Sequence, residues 1–118
     1  LNGYEGLEFA KKEIQRVYDQ DKKCGVVLHK YFQDMFKVTK NIHQCLKRRG
    51  HLIYVVGSST IKGIPFRTDE VLSNICKNLG FKIEETLERP YYAYRLPRER
   101  NVQSNTIKQD VFIIARKS

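Results

Sequence analysis

The run of residues 52–56, Leu-Ile-Tyr-Val-Val, constrains the fold more than any other stretch of this chain. It is unbroken, apolar and rich in β-branched residues, and it is too short for a helix. Such a run predicts a strand that is covered on both faces, as in the middle of a parallel sheet. The chain should therefore contain a sheet with helices packed against it.

The residues before this strand have helical periodicity. Their apolar positions recur at spacings of four, three, four and four, which predicts an amphipathic helix over residues 26–47. Basic residues at 47–49 suit the carbonyl end of this helix, and Gly50 is predicted to adopt the left-handed conformation after it. The apolar stripe consists of Tyr31, Met35, Val38, Ile42 and Leu46.

The residues after the strand repeat this pattern, so a second helix is predicted over residues 69–79. Thr68 is its candidate N-cap, and Gly80 is its expected end. Its apolar face consists of Val71, Leu72, Ile75, Cys76 and Leu79. A helix, a buried strand and a helix in this order indicate part of a doubly wound α/β sheet.

An earlier helix is predicted over residues 7–18, and Gly25 is expected to mark a break between it and the long helix. Its apolar stripe consists of Leu7, Ala10, Ile14, Val17 and Tyr18. His29 and His43 have no partner at metal-ligand spacing, which favours surface or boundary positions for both. Three widely separated cysteines favour buried free thiols over a disulfide framework or a zinc site.

Two further strands are predicted near the C-terminus. Residues 81–87 alternate between apolar and polar, as in a half-exposed strand near a sheet edge, and Glu85 breaks the apolar face. Residues 111–115 are continuously apolar, as in a more buried strand. The last strand is therefore predicted to lie between the other two and antiparallel to both, which gives the spatial order first, third, second.

Composition is typical of one globular domain, residues 1–118, with 41% hydrophobic and 30% charged residues. We expect a cytoplasmic protein, because no apolar run approaches the length of a membrane span and the first residues carry no signal-peptide pattern. Lys and Arg outnumber Asp and Glu by 22 to 13, a formal charge of +9, which favours a polyanionic partner such as nucleic acid.

Residues 89–100 interleave arginines with tyrosines between the second and third strands. Arginines can neutralise phosphates and tyrosines can stack on unpaired bases, so this segment is a candidate nucleic-acid contact. A solvated loop whose tyrosines cover the sheet edge explains the same composition equally well. The candidate phosphate-binding residues are Lys62, Arg95, Arg98 and Arg100.

Four stretches together resemble the C-terminal half of class I S-adenosylmethionine-dependent methyltransferases. They are residues 31–35 (Tyr-Phe-Gln-Asp-Met), 45–50 (Cys-Leu-Lys-Arg-Arg-Gly), 52–59 (Leu-Ile-Tyr-Val-Val-Gly-Ser-Ser) and 79–81 (Leu-Gly-Phe). The likeness is greatest to DNA methyltransferases that modify the exocyclic amino group of adenine or cytosine. It implies a partial Rossmann-like, mixed class I sheet with its antiparallel last strand inserted, in agreement with the burial pattern.

The resemblance extends to the first residues of the chain. In the amino-methylating enzymes a catalytic tetrapeptide, Asp, Asn or Ser followed by Pro-Pro and an aromatic residue, leads into a loop similar to residues 1–4. The chain is therefore expected to begin just after that tetrapeptide. The resemblance implies substrate contacts for Asn2 and Gly3 once the preceding half is present, and Ser58, Ser59 and Thr60, after the central strand, could contact the flipped base or adjacent backbone.

The chain departs from this family at the reaction centre. It has no Gly-x-Gly loop after a strand and no Pro-Pro-aromatic motif, and Arg48 and Arg49 replace the Pro and first Gly of the family's turn. No catalytic residue is therefore assigned. S-adenosylmethionine is expected as cofactor of the full-length enzyme but not of this fragment, which should be inactive alone.

Two other functions remain open, a catalytically silent nucleic-acid-binding or scaffold module and an RNA methyltransferase fragment. The expected partners are DNA or RNA, the missing N-terminal half of the domain, and a second copy of the chain bound through an open sheet edge.

Overall fold

The computed structural model describes residues 7–57, 59–61, 64–90 and 109–118. A short 3₁₀ turn, Glu8–Ala10, precedes helices α1 (Lys11–Gln20) and α2 (Lys22–Cys45). Strand β1 (His51–Gly57) is followed by the short strands β2 (Ser59–Ile61) and β3 (Ile64–Phe66), helix α3 (Thr68–Asn78), and strands β4 (Phe81–Pro90) and β5 (Gln109–Lys117). The three predicted helices and three predicted strands are all present.

The main sheet has the order β1-β5-β4, and β5 is antiparallel to both neighbours. The predicted order and the insertion of the last strand are therefore confirmed. Strands β1 and β4 run in the same direction, but both neighbouring pairs are antiparallel, so these three strands do not form a mixed sheet. The fold is an α/β arrangement in the coarse sense of helices packed on a small antiparallel sheet.

The core lies between the helices and one face of this sheet. The stripe predicted for α1 is largely buried, and that for α3 is buried except at Leu79, which is half-buried. The stripe predicted for α2 is partly wrong, because Tyr31 and Val38 are exposed and the buried face runs through Phe32 and Thr39 instead. A polar residue can occupy that face because the Thr39 hydroxyl donates to the carbonyl of Met35 at 2.7 Å.

Strand β1 is not covered on both faces, contrary to the sequence prediction. Leu52, Tyr54 and Val56 pack against the core, whereas Ile53 and Val55 on the other face are 56% and 54% exposed. The apolar run has the composition of a doubly covered strand, but the described helices supply cover on one side only. The exposed face continues across the sheet to the half-buried Phe112 and Ile114 and the exposed Leu87.

Gly25 does not mark the break between the two helices, because it lies inside α2. A Cβ atom built at Gly25 would lie 2.5 Å from the Cβ atom of Tyr18 and would also overlap the backbone of that residue. Glycine is therefore required for the close approach of α1 to α2. The break lies earlier, at Asp21, whose side chain accepts a hydrogen bond from the backbone N–H of Cys24 and caps α2.

Two predicted helix ends are also shifted. The left-handed residue after α2 is Arg49, with φ of 70°, and not Gly50. Helix α3 begins at Thr68 with Arg67 as its N-cap residue, so Thr68 is not the cap. The expected end of α3 is confirmed, since Gly80 adopts a φ of 102° directly after the C-cap.

Two predictions of exposure are wrong. His29 is buried, while His43 lies at the boundary as expected, with its ring edge-on to Phe81 at 4.9 Å. All three cysteines are free, but only Cys76 is buried, whereas Cys24 is half-buried and Cys45 is exposed. A helical pattern predicts which residues form the buried stripe with an error of about one residue per turn. It therefore does not predict the burial of residues next to that stripe.

Candidate functional site

A ligand-contacting site was predicted at the carboxyl end of β1. Of the substrate residues predicted there, Ser59 and Thr60 lie in β2, paired with Phe66 and Pro65 of β3. Asn2, Gly3 and Ser58 lie outside the described residues. The candidate phosphate-binding residues Lys62, Arg95, Arg98 and Arg100 also lie outside them.

A cleft of about 400 Å³ opens beside the β2–β3 hairpin, between α1 and the start of α3. Its apolar walls include the buried Ala10, Phe66 and Val71 and the more exposed Phe9. Its polar lining consists of Glu13, Arg16, Arg67, Glu70 and Asn74.

The start of α3 positions Arg67 at this cleft. Its guanidinium donates two hydrogen bonds to the buried carboxylate of Asp69, from Nε at 3.1 Å and from Nη2 at 2.9 Å. The hydrogen bond and charge of Asp69 raise the pKa of Arg67 above its ordinary value. Asp69 therefore fixes Arg67 in one orientation while about half of the arginine side chain remains exposed to a ligand.

The charges of this cleft are nearly balanced. Arg16 pairs with Glu13 at 2.8 Å, and the third guanidinium nitrogen of Arg67, Nη1, lies 3.8 Å from Glu70. Balanced ion pairs around an aromatic wall can orient a polar planar group. The described part of the chain contains no group of three His, Cys, Asp or Glu side chains able to hold a metal ion.

Of the predicted basic segment 89–100, the structure describes Arg89 and Pro90. Arg89 lies at the carboxyl end of β4. Its guanidinium contacts the carboxylate of Asp110 at 3.0 Å and lies 5.8 Å from the ring centroid of Phe112. Asp110 is buried, so this ion pair neutralises a carboxylate of the sheet. Arg89 therefore has a structural partner within the protein.

The β2–β3 hairpin and the Arg67–Asp69 pair that follows it were not predicted from the sequence. A signal for the hairpin is present, since Lys62-Gly63 separates two short runs that contain isoleucine. The Arg67–Asp69 pair has no comparable signal, because acidic residues in the first turn of a helix are usually explained by the helix dipole alone.

Comparisons with protein-family models, with curated protein sequences and with solved structures found no match to this chain. Across the described ranges, none of the helices has the length and apolar character needed to cross a membrane.

Proposed function

We propose that this chain is the C-terminal part of an S-adenosylmethionine-dependent DNA methyltransferase domain that modifies an exocyclic amino group of adenine or cytosine. The observation that carries the proposal is the order β1-β5-β4, in which the last strand lies antiparallel between two strands that share a direction. This is the arrangement that the resemblance to class I methyltransferases implies. The order of helix α2, strand β1, helix α3 and strand β4 along the chain agrees with it.

The two edges of the sheet differ in a way that supports the proposal. Strand β4 has the features of a true edge, with a register irregularity between Ile83 and Glu85 and several exposed charged side chains. Strand β1 has a continuous register and no charged residue between Leu52 and Gly57. Such a strand is suited to the middle of a larger sheet, with a further strand along the edge that no described strand occupies.

The exposed face of the sheet supports the same interpretation. Ile53, Val55 and Leu87 are exposed beside Phe112 and Ile114, so apolar side chains from all three strands lie on the face without helices. In a doubly wound sheet this face is covered by a second layer of helices. A preceding half of the domain would supply both that layer and the strand beside β1.

The residues of this chain do not fit a cofactor site by themselves. The sequence contains no Gly-x-Gly loop, and the cleft at the β2–β3 hairpin offers two ion pairs and no glycine-lined cradle. The proposed role of this chain is therefore to complete the sheet and to position residues around the substrate. Arg67, held by Asp69, and the aromatic wall formed by Phe9 and Phe66 are suited to contact the substrate.

A catalytically silent nucleic-acid-binding or scaffold module is the alternative function, and the observation that favours it is that the sequence contains no Pro-Pro-aromatic motif. An RNA methyltransferase fragment is a third function consistent with the same fold.

Calorimetry with S-adenosylmethionine separates the enzyme from the silent module. We expect the protein encoded by the complete natural reading frame to bind the cofactor with micromolar affinity and the 118-residue chain alone to show no measurable binding. Absence of binding by the complete protein would favour the silent module. Micromolar binding by the 118-residue chain would contradict the assignment of the cofactor site to the other half.

A further inference from the structure

A cluster of basic residues lies at the end of the sheet opposite the hairpin. It is built from the turn between α2 and β1, from the end of β5 and from the start of β4. A cleft of about 260 Å³ lies within it, lined by Arg48, Arg49, Arg116, Lys117 and Ser118. We refer to Arg48, Arg49, Arg116, Lys117, Lys47 and Lys82 as the basic cluster.

The backbone of this cluster is held in place by several hydrogen bonds. The N–H of Gly50 donates to the carbonyl of Lys47 at 2.8 Å and closes the turn. The N–H of Arg49 donates to the carbonyl of Lys117, and the N–H of Lys117 donates to the carbonyl of Gly50. The turn is therefore fixed to the end of β5, which makes the basic cluster a pre-organised surface.

The lysine and arginines of this cleft have different roles. The Lys117 ammonium donates to the carbonyls of His43 and Leu46 at 2.6 and 2.9 Å, so it caps the end of α2. Arg48 and Arg49 are exposed and have no ion-pair partner among the residues that the structure describes. Their guanidinium groups are thus available to a ligand.

Arg49 is also an unusual residue for its backbone conformation. A φ of 70° at the third position of a turn normally selects Gly or Asn, because a longer side chain is disfavoured there. An arginine at this position is not explained by the requirements of the turn. A ligand that needs a positive charge at this position would account for it.

The cluster extends across the sheet. His51 pairs with Arg116 on β5, and Arg116 pairs with Lys82 on β4, so these side chains form a row about 10 Å long, given strand spacings of about 4.8 Å. One carboxylate, Glu84, accepts from His51 at 2.8 Å and lies 3.5 Å from Arg116. This contact orients Arg116 without neutralising Arg48 and Arg49.

We infer that the basic cluster binds the phosphate backbone of double-stranded DNA, with Arg48 and Arg49 each contacting a phosphate. Guanidinium groups bind phosphate oxygens in a two-pronged geometry, and the concave cleft admits one phosphate group while the row beside it reaches a neighbouring one. A membrane surface is a poorer fit, because such surfaces select lysine-rich segments beside an amphipathic helix. This site is remote from the β2–β3 hairpin and does not depend on the proposed methyltransferase function.

The test compares the salt dependence of DNA binding by charge-matched variants of the 118-residue chain. Fluorescence anisotropy with a labelled random-sequence duplex is measured for Arg48→Gln/Arg49→Asn and for the control Lys37→Gln/Lys40→Gln, which removes two exposed charges from α2. Asparagine accepts the left-handed conformation at 49, so the first variant is expected to keep the melting temperature of the parent chain.

We expect the Arg48/Arg49 variant to bind at least tenfold more weakly near 100 mM salt. Its slope of log affinity against log salt should fall by about 2, since each phosphate contact contributes about 0.9. The Lys37/Lys40 control should stay within about threefold of the parent chain. These results together would support the site.

Four results would overturn it. The first is an equal loss in both variants, which would make the binding a property of net charge. The second is a loss only when Arg95, Arg98 and Arg100 are replaced together. The third is binding of anionic phospholipid vesicles that depends on Arg48 and Arg49 when duplex binding does not. The fourth is no duplex binding by the parent chain at low salt.

Discussion

The hydroxyl oxygen of Thr39 lies 2.6 Å from the phenol oxygen of Tyr54, and this contact joins the middle of α2 to the middle of β1. Thr39 already donates its single hydroxyl hydrogen to the carbonyl of Met35. The Tyr54 hydroxyl must therefore donate to Thr39. Both residues lie on the covered side of the sheet, where an unpaired hydroxyl is costly.

Thr39→Val should lower the free energy of unfolding by about 1–3 kcal/mol, because it leaves the Tyr54 hydroxyl without its acceptor while the side-chain volume is kept. Tyr54→Phe should lower the free energy of unfolding by less, about 1 kcal/mol, because Thr39 keeps its hydrogen bond to Met35. The double variant should be less destabilised than the sum of the two in urea unfolding. Strict additivity of the two changes would show that the hydrogen bond does not contribute to stability.

Stability should also fall at alkaline pH. Burial raises the pKa of the Cys76 thiol from 9.0 to about 11, so the folded chain keeps this proton over a range in which the unfolded chain loses it. This contribution is present in full below pH 9 and is lost as the pH rises to about 11, and it amounts to about 3 kcal/mol at most. Burial raises the pKa of Tyr54 as well, which adds to the loss above pH 10.

The measurement is urea unfolding at several pH values between 8 and 11 for the parent chain and two variants. Cys76→Ala removes the buried thiol and should flatten the alkaline decline, although it lowers stability at neutral pH. Cys45→Ala, which removes an exposed thiol, should leave the decline unchanged. An unchanged decline in Cys76→Ala would contradict the assignment to Cys76.

Gly25→Ala should destabilise the chain by about 3 kcal/mol, although alanine is usually the better helix former. The added methyl group would overlap the backbone of Tyr18, and α1 would have to move away from α2. Val26→Ala, at the exposed neighbouring position, should change stability by less than about 1 kcal/mol. Thermal unfolding of the two variants compares these effects, and a neutral Gly25→Ala would refute the close approach of the helices.

Among the described strands β1 has a neighbour on one side only, and its other edge should make the 118-residue chain self-associate. An uncharged edge strand beside an exposed apolar face can pair with the same strand of a second copy. Ile53→Lys should prevent this association by placing a charge next to the edge. Leu87→Lys on β4 is the matched control and should leave it intact, and sedimentation of a monomer at high concentration would count against the prediction.

The sheet order could be predicted because the apolar pattern of each strand indicates how deeply that strand is buried. Residues 111–115 are apolar without interruption, whereas residues 81–87 alternate, and this difference alone assigns the central and the edge position. The exposure of Ile53 and Val55 could not be predicted in the same way. Their composition is typical of a strand that is covered on both faces. The sequence pattern does not show which part of the protein covers the second face.

Local conformations depend on contacts that are distant in sequence, and these were harder to predict. Gly25 has the pattern of a break, but its role depends on Tyr18 of the neighbouring helix. Arg49 takes the left-handed position, whereas glycine is needed at 50 because a Cβ atom there would lie 2.8 Å from the carbonyl oxygen of Lys47. The candidate site was predictable only as a sheet end, since the orientation of Arg67 depends on Asp69.

Mass spectrometry of DNA nucleosides after incubation with S-adenosylmethionine tests the methyltransferase proposal most directly. The protein encoded by the complete natural reading frame should produce N6-methyladenine or N4-methylcytosine in duplex DNA, and the 118-residue chain alone should produce neither. Methylation confined to RNA would contradict the DNA assignment. A complete protein that methylates neither nucleic acid would contradict the central claim.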